Sequence, residues 1–266
     1  MKTSGKILAE QVRKIEESKV FSIRSPSLPT WCPGCGYFGI HQGLNHAIQR
    51  LGLPHHRIVV VSGIGCAGRY PFFTDTYGLH TVHGRTLPVS TGVKLASPEL
   101  TVFAVGGDGD GLGIGGGHLP HIARRNVDVK YLLFDNSIYG LTKGQPSPSS
   151  PLGFKTKVSP QGSQDAPLNA TLLALAYGAS FVARLFAGDP EGIANALMQG
   201  IGHKGFSFFH VYTSCVTFDK EFKTWDHLKQ WVHPLPEKHD SSNLKQAINV
   251  ALEDQFSLGI IYKRKE

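Results

Sequence analysis

Five short apolar runs along the chain predict the strands of a buried sheet. Glycine or polar residues bound them, and they are rich in β-branched and aromatic side chains. Their apolar residues do not alternate with polar ones, a pattern typical of strands covered on both faces. The runs are residues 58–61, 102–105, 131–134, 181–183 and 206–211. We therefore predict parallel strands in the core.

Stretches with helical spacing lie between these runs and complete an α/β pattern. They are residues 38–51, 87–95, 117–125, 169–177 and 190–201. Strand and helix in repeated succession predict a mostly parallel sheet with helices on both faces. Such sheets bind ligands beyond the carboxyl ends of their strands. Candidate chemistry is therefore expected just after the apolar runs.

The two ends of the chain and one long loop complete the predicted organisation. Residues 6–19 predict an amphipathic N-terminal helix, residues 241–254 a helix capped by serine, and residues 258–262 an edge strand or extended arm. Residues 145–162 are rich in proline and serine and predict a long loop. We expect one domain over residues 1–266, with an N-terminal helical arm and a C-terminal extension.

Composition and charge narrow the class of protein. Hydrophobic residues make up 41% of the 266 residues and charged residues 18%, which excludes a disordered chain. No signal peptide or membrane-length apolar run is found, so we predict a cytoplasmic protein with no membrane contact. The net charge of +7 suits phosphorylated cofactors or an acidic protein partner. Without a long basic run, we predict no nucleic-acid binding.

A glycine-rich segment after the second apolar run carries the first candidate chemistry. Residues 106–117 contain eight glycines and two aspartates, Asp108 and Asp110. A P-loop is excluded because no Gly-Lys-Ser/Thr follows. The spacing Gly111, Gly113, Gly116, with Asp135 further on, formally matches a dinucleotide fingerprint, but such a match is weak in so glycine-rich a segment.

Oxygen ligands at neighbouring strand ends favour a metal beside a phosphate site. Asp108 follows one predicted strand and Asn136 follows the next. Parallel neighbours bring both side chains to one edge, and hard oxygen ligands suit Mg²⁺ or Ca²⁺. The sequence Gly107, Asp108, Gly109 followed by Asn136 resembles the thiamine diphosphate binding motif. That resemblance implies that Asp108, Asn136 and the carbonyl of Ile138 hold the metal that bridges the diphosphate.

The four cysteines form a second candidate centre. Cys32 and Cys35 lie in a Pro/Gly turn, while Cys66 and Cys215 each follow a predicted strand. In a parallel sheet the last two would lie at the same edge as Asp108. Four thiolates gathered there suit zinc or an iron–sulfur cluster, and spacing alone does not decide between them.

Several long motifs together resemble the β subunit of 2-oxoacid:ferredoxin oxidoreductases. They are WCPGCG at residues 31–36, GIGC at 63–66, HTVHGRTLPVSTG at 80–92 and NSIYGLTKGQ at 136–145. The resemblance covers at least residues 31–219. It implies a thiamine diphosphate-binding fold, Mg²⁺, and a [4Fe-4S] cluster on Cys32, Cys35, Cys66 and Cys215.

The resemblance also implies an activity and partners. The expected reaction is oxidative decarboxylation of a 2-oxoacid, 2-oxoglutarate being favoured, with coenzyme A to acyl-CoA and CO₂. Electrons would pass through the cluster to ferredoxin. An α subunit, or a fused γα subunit, would supply the glutamate that activates the cofactor. The expected assembly is a heterodimer or a dimer of heterodimers.

Further site residues follow from the same resemblance. Arg69 is expected to face the substrate carboxylate, since a guanidinium matches a carboxylate geometrically. His80 and His83 are expected near the thiazolium as acid/base or hydrogen-bonding groups, and Lys143 near a diphosphate or a distal carboxylate. The remaining residues expected at the cofactor are Ile64, Gly65, Gly107, Gly109, Asp110 and Ile138.

Alternatives to this hypothesis differ in substrate or in class. Pyruvate, branched-chain and aryl 2-oxoacids are alternative substrates. A zinc-stabilised binding protein would use the cysteines as a structural brace. A nicotinamide-dependent dehydrogenase would use residues 111–116 and Asp135, and would leave the cysteines unexplained.

Overall fold

Ten strands form two sheets in the computed structural model, which describes residues 22–265. The N-terminal helix predicted over residues 6–19 lies outside the described residues. The strands are β1 (Ile58–Ser62), β2 (Tyr77–His80), β3 (Thr101–Gly107), β4 (Lys130–Asp135), β5 (Ile138–Tyr139), β6 (Gln145–Pro146), β7 (Phe181–Phe186), β8 (Ser207–Tyr212), β9 (His233–Pro234) and β10 (Ser257–Lys263). All five predicted strands are present.

The large sheet has eight strands in the order β2-β1-β3-β4-β8-β7-β10-β9. Neighbours from β2 through β7 run parallel, and β10 runs antiparallel to β7. The mostly parallel sheet of the prediction is therefore confirmed. The predicted arm at residues 258–262 is a strand, lined on its outer side by the two-residue β9. Strands β5 and β6 form a separate hairpin.

Seven α-helices surround the sheet within the described residues. They are α1 (Tyr37–Leu51), α2 (Thr86–Ala96), α3 (Leu119–Arg124), α4 (Ala170–Ala176), α5 (Pro190–Gly202), α6 (Trp225–Trp231) and α7 (Leu244–Glu253). The helices predicted between the strands are all present. No helix of residues 22–265 has the length and apolar character needed to span a membrane.

The prediction of a serine cap on the last helix is wrong. Asn243 is the residue before α7, and its side-chain oxygen accepts a hydrogen bond from the backbone N–H of Gln246 at 3.2 Å. Ser241 instead accepts the N–H of Lys263 on its carbonyl at 2.8 Å, so it is bound to the last strand. The asparagine satisfies a free helical N–H as a serine would.

Two apolar cores cover the two faces of the sheet. Alternate strand residues face opposite sides: Val60, Phe103 and Leu132 belong to the core beneath α1 and α5. Their neighbours Val61 and Ala104 belong to the core beneath α2, α3, α4 and α7. Burial on both faces explains why the runs show no polar alternation.

The fold places four loops side by side at one edge of the sheet. Strands β1, β3, β4 and β8 are adjacent and parallel, so their carboxyl ends meet. The segments that follow them contain Cys66, Asp108, Asn136 and Cys215. The candidate chemistry therefore gathers at this edge.

Candidate functional site

A cavity of about 200 Å³, with the oxygen-bearing side chains of Asp108, Asp110 and Asn136 in its lining, lies at the ends of β1, β3 and β4. We call it the oxygen cavity. It contains Asp108 and Asn136, as the strand order predicts. Ile64, Gly65, Gly107, Gly109, Asp110 and Ile138 also line it. All cofactor residues expected from the sequence, except Lys143, therefore lie around one space.

Hydroxyl groups from the long loop hold the Asp108 carboxylate. The hydroxyl of Ser147 donates to Asp108 Oδ2, and Ser149 Oγ lies 2.9 Å from the same oxygen. The backbone N–H of Asn136 donates to Asp108 Oδ1 at 3.4 Å. Burial, and then the negative charge of Asp135, raise the pKa of Asp108 to about 7. A cation in the cavity would offset this cost, so the carboxylate suits a metal.

The turn after β4 carries two more candidate oxygen donors, the side-chain oxygen of Asn136 and the backbone carbonyl of Ile138, and both residues line the oxygen cavity. Ser137 has φ of 56°, a left-handed conformation that is uncommon outside glycine. The Asn136 side-chain oxygen accepts the N–H of Ile138 at 3.2 Å, and its amide nitrogen donates to the hydroxyl of Tyr37 at 3.4 Å. These two bonds define which end of the amide is oxygen. Hard oxygen donors of this kind fit Mg²⁺.

Close backbone approach at glycine shapes the wall of the oxygen cavity. A Cβ on Gly109 would lie 2.2 Å from the ring of Tyr139, whose hydroxyl donates to the Gly109 carbonyl at 3.0 Å. Gly65 has φ of 108°, a backbone conformation that residues other than glycine rarely adopt. These positions therefore require glycine for steric reasons.

Asp110 organises two loops around the same cavity. Its Oδ1 accepts the N–H of Ile64 at 3.0 Å, the N–H of Gly84 at 2.8 Å and a bond from His83 Nδ1 at 2.7 Å. The hydroxyl of Thr86 donates to Oδ2 at 3.3 Å. The carboxylate is thus occupied by protein groups, and it places Ile64 and His83 at the cavity.

The dinucleotide hypothesis fails at Asp135. That residue is buried, and its carboxylate is paired with Lys223 at 2.8 Å and His210 at 2.8 Å. Although burial acts to raise the pKa of Asp135, the charge of Lys223 and the bond from His210 hold it well below its usual range. A buried, fully paired carboxylate is not available to a ribose hydroxyl.

The four cysteines line a second cavity, of about 190 Å³, which we call the cysteine cavity. The indole N–H of Trp31 donates to the Cys66 carbonyl at 2.9 Å. Burial, and then the neighbouring thiols, raise the pKa of Cys35 to about 12 and raise that of Cys66. In the described part of the chain, no three His, Cys, Asp or Glu side chains are grouped to hold one metal ion. Four sulfur donors around a cavity fit a cluster in donor chemistry.

The two cavities share a wall. Tyr37, Cys66, Asn136, Gly140 and Leu141 line both of them. A Cβ on Gly140 would lie 3.4 Å from the sulfur of Cys215 and 3.8 Å from that of Cys66. The hard and soft donor sets are therefore neighbours.

The arginine, lysine and histidine residues expected at the site divide between different spaces. Arg69 and Lys143 line the cysteine cavity. His83 lines the oxygen cavity and an adjoining open groove, while His80 lines the groove alone. His80 Nδ1 lies 3.2 Å from the Ser62 hydroxyl. The structure thus brings His83 to the cofactor residues and places His80 farther out.

Comparison with known proteins gives the family. The family described as thiamine pyrophosphate enzyme, C-terminal TPP binding domain, matches residues 56–211, and the C-terminal family of the pyruvate ferredoxin oxidoreductase beta chain matches residues 215–266. A 2-oxoacid:ferredoxin oxidoreductase subunit beta from Sulfolobus is 41% identical over 256 residues, covering 91% of this chain and 84% of the relative. The chain belongs to the 2-oxoacid:ferredoxin oxidoreductase β subunits.

Other relatives agree with this assignment. A 2-oxoglutarate synthase subunit KorB from Archaeoglobus fulgidus is 42% identical and covers 87% of this β subunit and 83% of the relative. A solved 2-oxoglutarate:ferredoxin oxidoreductase from Magnetococcus marinus, with 2-oxoglutarate, coenzyme A and succinyl-CoA bound, is 43% identical with a TM-score of 0.89. The alignment covers 92% of this chain and 84% of that chain. The predicted family and fold, including the thiamine diphosphate-binding domain, are confirmed.

Several site residues were not predicted from the sequence. Ser147 and Ser149 lie in the segment marked only as a long loop, and Tyr37 begins a helix, where an aromatic residue is ordinarily core. Lys223 and His210 lie in no motif that was recognised in the sequence. The serines had one usable signal, the density of small polar residues in a long loop.

Proposed function

We propose that this protein, as a β subunit, performs thiamine diphosphate-dependent oxidation of a 2-oxoacid, with 2-oxoglutarate preferred. One 2-oxoacid and coenzyme A give acyl-CoA, CO₂, one proton and two electrons, which pass to ferredoxin. The observation that carries the proposal is the shared wall between the oxygen and cysteine cavities. A decarboxylation centre and a one-electron acceptor need to be neighbours for such a reaction.

Asp108, Asn136 and the carbonyl of Ile138 would hold Mg²⁺ in the oxygen cavity. Their oxygens are the donors that Mg²⁺ prefers, and burial, followed by the negative charge of Asp135, raises the pKa of Asp108, a cost that a bound cation would offset. Gly107 and Gly109 leave the backbone open beside them. When bound, thiamine diphosphate supplies the electron sink for loss of CO₂. The protein would position the cofactor and exclude water from it.

Cys32, Cys35, Cys66 and Cys215 would hold a [4Fe-4S] cluster. All four line one cavity. Burial, and then the neighbouring thiols, raise the pKa of Cys35 and of Cys66, a cost that an iron cluster would remove by binding the thiolates. When bound, the cluster supplies one-electron transfer. Zinc remains the alternative outcome of a metal analysis.

Arg69 and Lys143 would bind the carboxylates of the substrate. Both line the cysteine cavity beside the shared wall, and a dicarboxylic 2-oxoacid offers one carboxylate to each. His83, held by Asp110 at 2.7 Å, would hydrogen-bond at the cofactor, with His80 in an outer position. The preference for 2-oxoglutarate is also supported by the substrate names of two similar proteins.

An α or fused γα subunit would cover the edge of the sheet beside the oxygen cavity. Tyr77, Leu79 and Val82 are exposed there, next to the groove that His80 and His83 line. Clustered exposed apolar residues are typical of an interaction surface. This partner would supply the glutamate that activates the cofactor, in a heterodimer or a dimer of heterodimers.

The test is anaerobic purification of the chain with its partner subunit. The sample is analysed for thiamine diphosphate, magnesium, iron and sulfide, and then assayed with coenzyme A, ferredoxin and a panel of 2-oxoacids. We expect one thiamine diphosphate and one [4Fe-4S] cluster per chain, with 2-oxoglutarate giving the highest kcat/KM. Zinc without iron would contradict the proposed cluster, and a preference for pyruvate would contradict the proposed substrate.

A further inference from the structure

A buried group of charged residues lies directly behind the proposed metal ligands. Asp135, the last residue of β4, is 2% exposed and is paired with Lys223 and His210, each 4% exposed. Lys223 Nζ lies 2.8 Å from Asp135 Oδ1, and His210 Nε2 lies 2.8 Å from Asp135 Oδ2. Burying a charge is costly unless it is paired, so the Asp135 carboxylate and the Lys223 ammonium depend on each other in this position.

Asp135 holds the turn that carries Asn136 and Ile138. The N–H of Ser137 donates to Asp135 Oδ1 at 3.0 Å, and the Ser137 hydroxyl lies 3.2 Å from the same oxygen. Ser137 has the left-handed conformation described above, which persists only where the surroundings enforce it. The carboxylate therefore enforces the turn from which Asn136 and the Ile138 carbonyl project.

Asp135 is also linked to Asp108 through one hydroxyl. Ser149 Oγ lies 2.8 Å from Asp135 Oδ1 and 2.9 Å from Asp108 Oδ2. The single proton of this hydroxyl can serve only one carboxylate at a time. Ser149 therefore couples the position of Asp108 to that of Asp135.

Distant parts of the chain hold Lys223 and His210 in place. The Asp219 carboxylate accepts the N–H of Lys223, which places this lysine. His210 Nδ1 lies 3.1 Å from the Thr171 hydroxyl, and Arg184 Nε donates to that hydroxyl at 3.1 Å. Asp135 is thus supported by His210 on β8 and by Lys223 in the segment after β8.

We propose that Asp135, clamped between Lys223 and His210, is a positioning residue for the metal site, acting on Asn136 and Ile138 through Ser137 and on Asp108 through Ser149. The inference rests on the proposed magnesium site. Hydrogen-bond partners behind metal ligands commonly determine ligand orientation and metal affinity. Lys223 and His210 hold the Asp135 carboxylate in position, each through a 2.8 Å contact.

The test measures metal affinity without turnover. The complex with its partner subunit is stripped of divalent cations, supplied with thiamine diphosphate and titrated with Mn²⁺, which prefers the same oxygen donors as Mg²⁺. Free Mn²⁺ is counted by its EPR signal. We expect Asp135→Asn to raise the Mn²⁺ dissociation constant about 10- to 100-fold, and Ser149→Ala about 10-fold. The double variant should fall short of the product, because both residues serve one network.

Lys130→Met is the matched control. Lys130 is a buried lysine at the other end of β4 and is paired with Asp128 at 2.6 Å. This variant should lower the thermal midpoint and leave Mn²⁺ affinity unchanged. Unchanged Mn²⁺ affinity in Ser149→Ala, or in folded Asp135→Asn, would overturn the inference. If Asp135→Asn does not fold, Ser149→Ala decides. A wild-type complex that binds no Mn²⁺ would instead overturn the proposed metal site.

Discussion

The oxygen cavity and the cysteine cavity share a wall but are built in opposite ways. In the oxygen cavity, protein groups hold each candidate ligand: two serine hydroxyls bind Asp108, and Tyr37 and Ile138 bind the Asn136 amide. In the cysteine cavity, thiols from three separate segments face each other, and burial and mutual repulsion raise the pKa of Cys35 to about 12. The candidate oxygen ligands are preorganised, whereas the raised pKa values of Cys35 and Cys66 disfavour their thiolates unless a bound group stabilises them.

The largest effect should come from Asp108→Ala, which removes a carboxylate from the oxygen cavity and leaves the four cysteines of the cysteine cavity unchanged. We expect the affinities for thiamine diphosphate and magnesium to fall by more than about 100-fold. Loss of a hydrogen bond that only supports a metal ligand costs up to roughly 100-fold, and Asp108 is a proposed ligand itself. Iron and sulfide content should stay at the wild-type level. Analysis of the purified complex for thiamine diphosphate, magnesium, iron and sulfide measures these changes. Full activity in this variant would contradict the assignment, and Asp128→Ala, two residues before the start of β4, serves as the control.

Cys35→Ser is the reciprocal change. Cys35 lines only the cysteine cavity, and a serine hydroxyl is a poor substitute for thiolate at iron. We expect the visible charge-transfer absorption and the iron content to fall to a small fraction of wild type, with thiamine diphosphate retained. An unchanged spectrum would exclude Cys35 as a ligand. Parallel loss of both groups would mean that the two cavities do not form independently.

Tyr37→Phe tests the shared wall with a smaller effect. The variant keeps the ring and removes only the hydroxyl that accepts from Asn136 at 3.4 Å, so the amide loses one of its two restraints. We expect magnesium affinity to fall several-fold, up to about 10-fold. Calorimetric titration with Mg²⁺ and thiamine diphosphate measures this. An unchanged affinity would show that the Ile138 bond alone orients the amide.

A last effect, on stability and with no expected change in cofactor content, concerns the support of the cysteine cavity and depends on pH. Burial, and then the charge of Arg24, lower the pKa of His41 from 6.5 to about 4. Because the unfolded chain binds this proton more readily, the free energy of unfolding should fall as the pH decreases from about 6.5 toward 4, by at most about 3 kcal/mol. Urea denaturation across this range measures the change.

His41→Gln should reduce that pH dependence, since His41 packs beneath Trp31 and Tyr70 and must stay neutral there. His56→Gln, at an exposed position, should preserve the wild-type slope. Equal slopes in both variants would assign the pH dependence to other groups.

Much of the fold and part of the site could be predicted from the sequence. The five central strands follow from continuous apolar runs, because burial on both faces leaves no polar position. Asp108, Asn136 and the four cysteines could be predicted because each follows a strand or lies in a glycine turn. In a parallel sheet, that local position already implies a common edge. Asp110 is predicted to bind cofactor, but its carboxylate is occupied by Ile64, His83 and Gly84.

The supporting residues could not be predicted in the same way. Asp135 had a rival interpretation as a ribose ligand, and only the neighbours that the fold supplies, Lys223 and His210, exclude it. Ser149 lies in a loop whose path no local pattern specifies, yet it joins the two carboxylates.

The fold class and the positions of the candidate donors follow from the chain itself, because periodicity and glycine turns act over a few residues, and the family follows from the resemblance of its motifs. The groups that hold those donors are known only once the chain is folded. Such pairings depend on which distant segments become neighbours, and this is determined by strand order and loop path rather than by local propensity.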